Sequence, residues 1–596
     1  MTTLMDPTLR GSGKISGVFF NAAHDVVAVA SAFSLLINPR ARAAYGGHAL
    51  RYRVALYRQD ALVPFAAFDD LHHPVNDVAF HPDGATILIG GGSYDGGYLF
   101  EGDLVVWNWR NAHATRPFKL VPEVVRCRYN AAGDHIEAWM RPWDEEWGAA
   151  DDNTDDAFDT LYLVQTPVPD AASPARELEL DPAAIAPKAP PAPDLPSPVS
   201  RLKAWFGIED WTSRDAITDI AALDDGLIAV AHRGCLLEIY RRNGECIAVY
   251  AGPGHGAEIL KSAGVRVHVV ETMQRPPNVG RQDSRLYALT EDGLQRTHAY
   301  EGDFTFSSTP NGRVLGRQNR FHLAGTRARD VLLDVNTGVE QRVDLGHYDC
   351  FNHYLNIRGA PLLFLLQGTP ASSHENKVLC IVEPDGGVRR LWPLLKADRE
   401  PASHAMELCG AYVDDALGAG VVISGKHYSP NVTTPYAGFI YRKPLERDRE
   451  LWRRRTPASA SAIVALPRAG LIVAAFLDGS LQAIDAQSGA LRRNAKVHVD
   501  GLPTIIFAMD ADDDTLLMGT VDGRIAQLRI SALCQEADGA KAEPASILNL
   551  NSRPPPTSPL DCGPSSSPDT APDRRTSAPR QHPRHRRASA QRQSIP

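Results

Sequence analysis

Residues 74–109 read PVNDVAFHPDGATILIGGGSYDGGYLFEGDLVVWNW. Val75, Val78 and Phe80 are apolar, with Asp77 among them. Side chains of a strand alternate between faces, so this spacing buries one side of a β-strand. Pro82-Asp83-Gly84 then makes a turn: Pro presets φ, Asp bonds locally, and Gly accepts positive φ. Ile87-Leu88-Ile89 is a short, continuously apolar run, as expected of an inner strand covered on both faces. Gly90-Gly91-Gly92 permits close backbone approach. Leu104-Val105-Val106-Trp107 completes a third strand.

This order of strand, Pro-Asp-Gly turn, glycine-ended strand and Trp-ended strand resembles one blade of a WD40-type β-propeller. Trp107 stands at the family's Trp-Asp position, with Asn108 in place of the Asp. His72 or His73 precedes the first strand, as in the family's Gly-His pair, but no Gly adjoins either. The resemblance implies a structural hydrogen-bond network of one His, one Asp and Trp107. Asp95 and Asp103 both compete for the Asp role.

Weaker copies of the same grammar recur to about residue 531. The first runs from Gly17 (GVFFNAAHDVVAVASA, RYRVALY, LVPFAAF), with a long hairpin loop expected from Arg40 to His48. The second is the opening stretch, closed by Phe118-Lys119-Leu120-Val121 as its outer strand. The third encloses an acidic insertion from Asp144 to Asp159. A clean fourth copy is AITDIAALDDGLIAVAHRGCLLEIYRRNGECIAVY; looser ones are expected near 264–300, 304–344, 349–393 and 405–453. The ninth, AIVALPRAGLIVAAFLDGSLQAIDAQSGALRR, is clean, and the tenth, IIFAMDADDDTLLMGTVDGRIAQLRI, stops after three strands. A segment from the N-terminus is expected to supply its outer strand, since closure removes an exposed edge. The expected fold is all-β: a WD40-like propeller of about ten units, as one large ring or two. The expected divisions are blades over 14–166, a Pro/Ala-rich linker or insertion with a short helix over 167–213, blades over 214–535, and a disordered basic tail over 536–596. Within the second division, Leu202, Trp205 and Phe206 are expected to form a helical face packed on the propeller's side.

Composition limits the function classes. Of 596 residues, 43% are hydrophobic, which suits a globular chain. No run of about 18 apolar residues spans a membrane, and MTTLMDPTLRGSGK lacks the features of a signal peptide. Eight scattered Cys without a C-x-x-C pair fit a reduced cytoplasmic protein. The net charge of −9 is uneven: residues 573–596 hold seven Arg against one Asp, which leaves −15 for the rest. The seven are Arg574, Arg575, Arg580, Arg584, Arg586, Arg587 and Arg592. Such a cluster can bind polyanions through phosphate neutralisation, but no aromatic residues interleave it for base stacking.

Other chemistry-bearing patterns read as structure. His347-x-x-Cys350-x-x-His353 has zinc-ligand residue types without an evident fourth ligand. Asp510-x-Asp512-x-Asp514 and Asp151-x-Asn153-x-Asp155 lack the Gly and Glu of a calcium loop, with Val521 and Tyr162 at the Glu position. Ala483-x-Asp485-x-x-Ser488-Gly489 and Asp334-x-x-Thr337-Gly338 resemble half of a quinoprotein repeat, but Arg493 and Arg342 stand where its Trp would be. Gly252-x-Gly254-x-Gly256 lacks the Lys-Ser/Thr of a phosphate loop. His232 and His255 read as structural rather than as bases. No catalytic residue, metal or cofactor is expected. The expectation is a non-enzymatic scaffold binding protein or peptide partners, with a quinoprotein-type enzyme and polyanion binding through the tail as alternatives.

Overall fold

The computed structural model describes residues 2–534 apart from 6, 34–49, 96–97, 146–157, 182–194, 213–215, 233–234, 253–256, 263–264, 275–281, 303, 319–329, 349–352, 369–376, 396–403, 429–437 and 457. The loop expected from Arg40 to His48, most of the acidic insertion, His255, Cys350 and the tail lie outside the described residues. So do all seven tail arginines.

Among the described residues the strands form ten sheets of three to five strands, and one two-stranded hairpin. Blade 1 holds Lys14–Phe20, Val26–Ala32, Tyr52–Arg58 and Ala66–Phe68. Blade 2 holds Val75–Phe80, Thr86–Tyr94, Phe100–Asn108 and His113–Thr115; blade 3 holds Val124–Tyr129, His135–Met140 and Tyr162–Pro167. Blade 4 holds Ile217–Ala222, Leu227–His232, Cys235–Arg241 and Cys246–Ala251. Blade 5 runs from Glu258–Ser262 to Gly293–Tyr300, and blade 6 from Phe304–Ser308 to Val339–Val343. Blade 7 is Leu363–Gln367, Val378–Val382 and Val388–Pro393. Blade 8 is Leu355–Arg358, His404–Asp415, Gly418–Tyr428, Gly438–Pro444 and Trp452–Thr456. Blade 9 is Ala460–Leu466, Leu471–Phe476, Ser480–Asp485 and Leu491–Lys496. Blade 10 is Ile506–Ala511, Thr515–Thr520 and Ile525–Arg529, and Thr2–Met5 adds its outer strand, antiparallel to Ile525–Arg529.

The blade grammar has a repeated backbone cause. The first strand carries a register shift near its start in blades 1, 2, 3, 4, 9 and 10, as between Val75 and Asp77 and between Ile217 and Asp219. Such a bulge increases twist and re-aims the side chain beside it. At Asp77 and Asp219 the re-aimed carboxylate reaches the next blade. Asp77 accepts the Cys127 N–H at 3.0 Å, and Asp219 accepts the Ile259 N–H at 2.7 Å. The three glycines after Ile89 do what their position suggests. A Cβ at Gly91 would lie 2.3 Å from the Pro74 carbonyl oxygen, and one at Gly90 2.7 Å from the Val124 side chain of blade 3.

The ten sheets divide by packing. Blades 4 to 10 each pack on the next, and blade 10 packs back on blade 4. Ile217, Ile220 and Val230 of blade 4 share one apolar cluster with Ala508, Leu517 and Ile525 of blade 10, flanked by Leu4 and Met5. Among the described residues this is a closed ring of seven blades, within the usual propeller range. Blades 1, 2 and 3 pack in series beside it and, among the described residues, do not enter the ring. Blade 1 meets the ring through Phe33 and Leu50, which cluster with Leu477, Ile505, Phe507 and Val521. Arg53 anchors the contact: it is fully buried, paired with Asp69, and donates to the carbonyls of Gly11 (2.7 Å) and Pro503 (2.8 Å).

A three-blade stack has two end faces, and an apolar one must be covered. The helix Pro198–Phe206 covers the one on blade 1, with Leu202 fully buried against Val18, Val27, Val29, Ala55 and Tyr57. Trp205, Phe206 and Trp211 pack around it. Ser197 caps this helix and Gly207 ends it in the left-handed conformation. Blade 3 ends the other side with a polar ladder: Arg128 pairs with Glu137 at 2.6 Å and lies over Trp139.

Two expectations need correction. The outer strand of blade 2 is His113–Thr115, not residues 118–121. Pro117 and Pro122 flank that segment and cannot donate to a ladder; Phe118 bridges Arg176, and Val121 bridges Gly102. The expected unit at 349–393 is also divided. Its first strand, Leu355–Arg358, leaves blade 7 and pairs in parallel with His404–Asp415 of blade 8. Gly359 (φ +69°) and Pro361 turn the chain away before Leu363 can pair with it.

Tryptophans on outer strands dock neighbouring blades. Trp392 of blade 7 donates its indole N–H to the Pro444 carbonyl of blade 8 at 3.0 Å. Trp452 of blade 8 donates to the Ala486 carbonyl beside blade 9 at 2.9 Å. Gly489 (φ +72°) makes room for this, since a Cβ there would lie 2.6 Å from the Trp452 ring. Trp452→Phe keeps most of the apolar area and removes the bond. It is expected to cost about 0.5–1.5 kcal/mol in urea unfolding, the net worth of one hydrogen bond, because Arg442 still donates to the Ala486 carbonyl at 2.8 Å.

Candidate functional site

The axis of the seven-blade ring is a cavity of about 80 Å³ lined from blades 4, 5, 8, 9 and 10. Thr218, Asp219, Glu258, Tyr354, Asn356 and Arg358 are its polar residues with Ser461; Ala462, Ile463, Phe507 and Met509 supply apolar lining. A volume of this size accommodates a few water molecules, since each needs roughly 10–15 Å³ on this measure.

Arg358 closes the axis. It reaches from its displaced strand across to Asp219, forming an ion pair, and also donates to the carbonyls of Ile220 (3.4 Å) and Met509 (3.2 Å). One guanidinium carried by blade 8 thus bonds blades 4 and 10 at once. Asp219, 1% exposed, further accepts the N–H groups of Ile220 (2.8 Å) and Ile259 (2.7 Å). Burial alone would lower the Arg358 pKa. The adjacent Asp219 carboxylate outweighs burial and raises it above the ordinary guanidinium value. Tyr354 donates to Glu258 at 3.4 Å. Burial, reinforced by Glu258, raises the Tyr354 phenol well above its usual range. Two carboxylates therefore converge on the axis, as a catalytic reading would require. Asp219 is held by an arginine and two backbone donors, and Glu258 lies beside a phenol that remains protonated at neutral pH.

The residues named for a His-Asp-Trp network are dispersed within blade 2. Asp103, buried, accepts the backbone N–H groups of His72 (2.8 Å) and His73 (2.9 Å). Asp95 caps its own hairpin through the N–H groups of Tyr98 (2.7 Å) and Leu99 (3.0 Å). Trp107 is buried against Phe68. His72 is exposed, with Asp70 3.8 Å from its ring. Burial, the largest influence, lowers the His73 pKa.

The other sequence patterns fall into turns. Asp485 accepts from Arg492 (2.8 Å), from the Ser488 N–H (2.9 Å) and from its hydroxyl (2.7 Å). These bonds, Arg492 first, hold its pKa down to about 2. Asp334 accepts the N–H groups of Asn336 and Thr337 in the same way. Asp510 bridges blades by accepting from Ala222 N–H and Lys261, while Asp512 folds back on the Asp514 and Thr515 N–H groups. The rings of His347 and His353 meet edge to face at 5.7 Å. His232 is buried 3.2 Å from Glu238.

Arg358 was not visible as an axial residue, because its strand pairs outside its own unit. Asp219 carried a signal: in ITDIAA it occupies the place of Asp77 in VNDVAF.

No family model matches the chain. No curated protein matches it. Among solved structures it is similar to the WD40 repeats of RRP9, at 10% identity and a TM-score of 0.35, covering 51% of this chain and 87% of that one. It is also similar to the Dos1 propeller, at 11% identity and a TM-score of 0.34, covering 78% and 94%. A third similarity is to the tricorn protease, at 10% identity and a TM-score of 0.34, covering 87% and 48%.

Proposed function

We propose that the protein is a non-enzymatic binding platform whose partner is an acidic segment of another protein, held on the outer rim of the ring. The observation that carries this reading is the outer strands of three consecutive blades, 7 to 9. They read VRRLWP, WRRRT and LRRNAK, and every residue of Leu491–Lys496 is exposed. An exposed outer strand also offers unpaired backbone groups, and lysine and arginine on such edges oppose self-pairing while favouring acidic partners. The positive field is felt locally: burial, followed by Arg453 and Arg455, pushes His427 down to about 4. Binding chemistry built on a rigid scaffold's periphery fits a ring whose axial polar groups already bond one another.

The test is quantitative capture of partners from the native cell by the wild type, by Arg390→Glu/Arg493→Glu, and by a chain lacking residues 536–596. The double reversal is expected to weaken capture about tenfold or more and to reduce its salt sensitivity. If capture survives the reversal and disappears with the tail, polyanion binding through the tail replaces this reading.

A further inference from the structure

His232, Cys235 and Glu238 lie together in blade 4. All three are buried, and an imidazole nitrogen, the thiol sulfur and a carboxylate oxygen sit within 4.8 Å of one another. Strand alternation alone would not assemble them. Residues 232 and 235 are paired across the hairpin, but 235 and 238 differ by three and belong on opposite faces of a regular strand. Register shifts between Val230 and His232, and between Cys235 and Leu237, break that alternation and turn all three inward to one side. Bulges that re-aim side chains in this way are typical of ligand-bearing positions.

We propose that His232, Cys235 and Glu238 form a binding site for a zinc-class divalent ion. The donor set mixes imidazole nitrogen, thiolate sulfur and carboxylate oxygen, which is zinc chemistry. Tetrahedral zinc holds such donors roughly 3.2–3.8 Å apart, given bonds of about 2.0–2.3 Å. The His232 Nε2 to Glu238 Oε1 separation is already 3.2 Å. Tyr240 donates to the other Glu238 oxygen at 2.8 Å, the kind of outer contact that orients a ligating carboxylate. Cys235 donates its thiol proton to the Tyr250 carbonyl at 3.1 Å; that proton leaves when the sulfur coordinates. The fourth position is left for water. Tyr240 and Val230, next to the ligands on this face, belong to the cluster that joins blade 4 to blade 10. The ion therefore sits beside the seam where the ring closes, and binding should raise the melting temperature.

The experiment titrates Co²⁺ into the metal-free full-length protein. One equivalent is expected to bind with a thiolate-to-cobalt charge-transfer band, and Zn²⁺ should bleach it. Cys235→Ser should abolish the band, whereas Cys246→Ser, Cys350→Ser and Cys534→Ser should keep it. Tyr240→Phe, which leaves the ligands in place, should weaken affinity about 10–100-fold; it decides the matter if Cys235→Ser does not fold by circular dichroism. No band in the folded wild type overturns the proposal and leaves a buried His-Glu pair with a neighbouring thiol. A band that survives Cys235→Ser, or is lost with Cys350→Ser, or an unchanged affinity in Tyr240→Phe, overturns it equally.

Discussion

Replacing Arg358 by Ala is expected to destabilise the protein by about 3–5 kcal/mol, because it leaves the buried Asp219 carboxylate without its cation. Asp219 is 1% exposed, and water entering from the axial cavity restores only part of what the guanidinium supplies. The Ile220 N–H in its own strand and the Ile259 N–H of blade 5 hold one carboxylate oxygen each, which makes rotation away from the axis costly. The variant Arg358→Ala/Asp219→Asn removes the orphaned charge and should recover part of the loss, since the amide oxygen still accepts from one of the two backbone N–H groups. Urea unfolding of the two single variants and the double variant forms a cycle that isolates the coupling. Strict additivity would mean that the pair across the axis contributes nothing and that Arg358 does not hold the blades together there.

Deleting residues 2–5 is expected to cost about 3 kcal/mol and to open the ring at its seam. Leu4 and Met5 each lose partial burial, worth roughly 1 kcal/mol apiece. The ladder from Thr2–Gln527 to Met5–Ile525 is also lost, with its hydrogen bonds at about 0.5–1.5 kcal/mol net each. The edge of Ile525–Arg529 then faces solvent and can pair with another chain. The shortened protein should therefore unfold at lower urea and sediment as concentration-dependent oligomers. A peptide of residues 1–9 added in trans should reverse both effects. A shortened chain that stays monomeric with an unchanged midpoint would show that the closing strand is dispensable.

The blades were legible because their causes are local. Period-two burial, a Pro-Asp-Gly turn and glycines at close approaches lie within a few residues of one another, and they place nearly every strand of blade 2. The exception, residues 118–121, failed on two prolines. The helix at 198–206 was legible in the spacing of Leu202, Trp205 and Phe206, and its landing place was not. Asp219 could have been found by aligning its unit with Asp77. Trp392 and Trp452 could have been noticed as outer-strand tryptophans, though not the carbonyls they reach.

The sequence by itself determined that this is an all-β chain of repeated blade units, and that its last unit lacks an outer strand. Tertiary structure alone decided that seven of the units close while three stack beside them. It also decided that one strand crosses from blade 7 to blade 8 and carries Arg358 to the axis. Strand formation depends on neighbours in the chain. The choice of which apolar face meets which depends on contacts hundreds of residues apart, such as Ile217 with Leu517 and Leu4, and similar blades present similar faces. Only the summed fit of the whole assembly distinguishes among them.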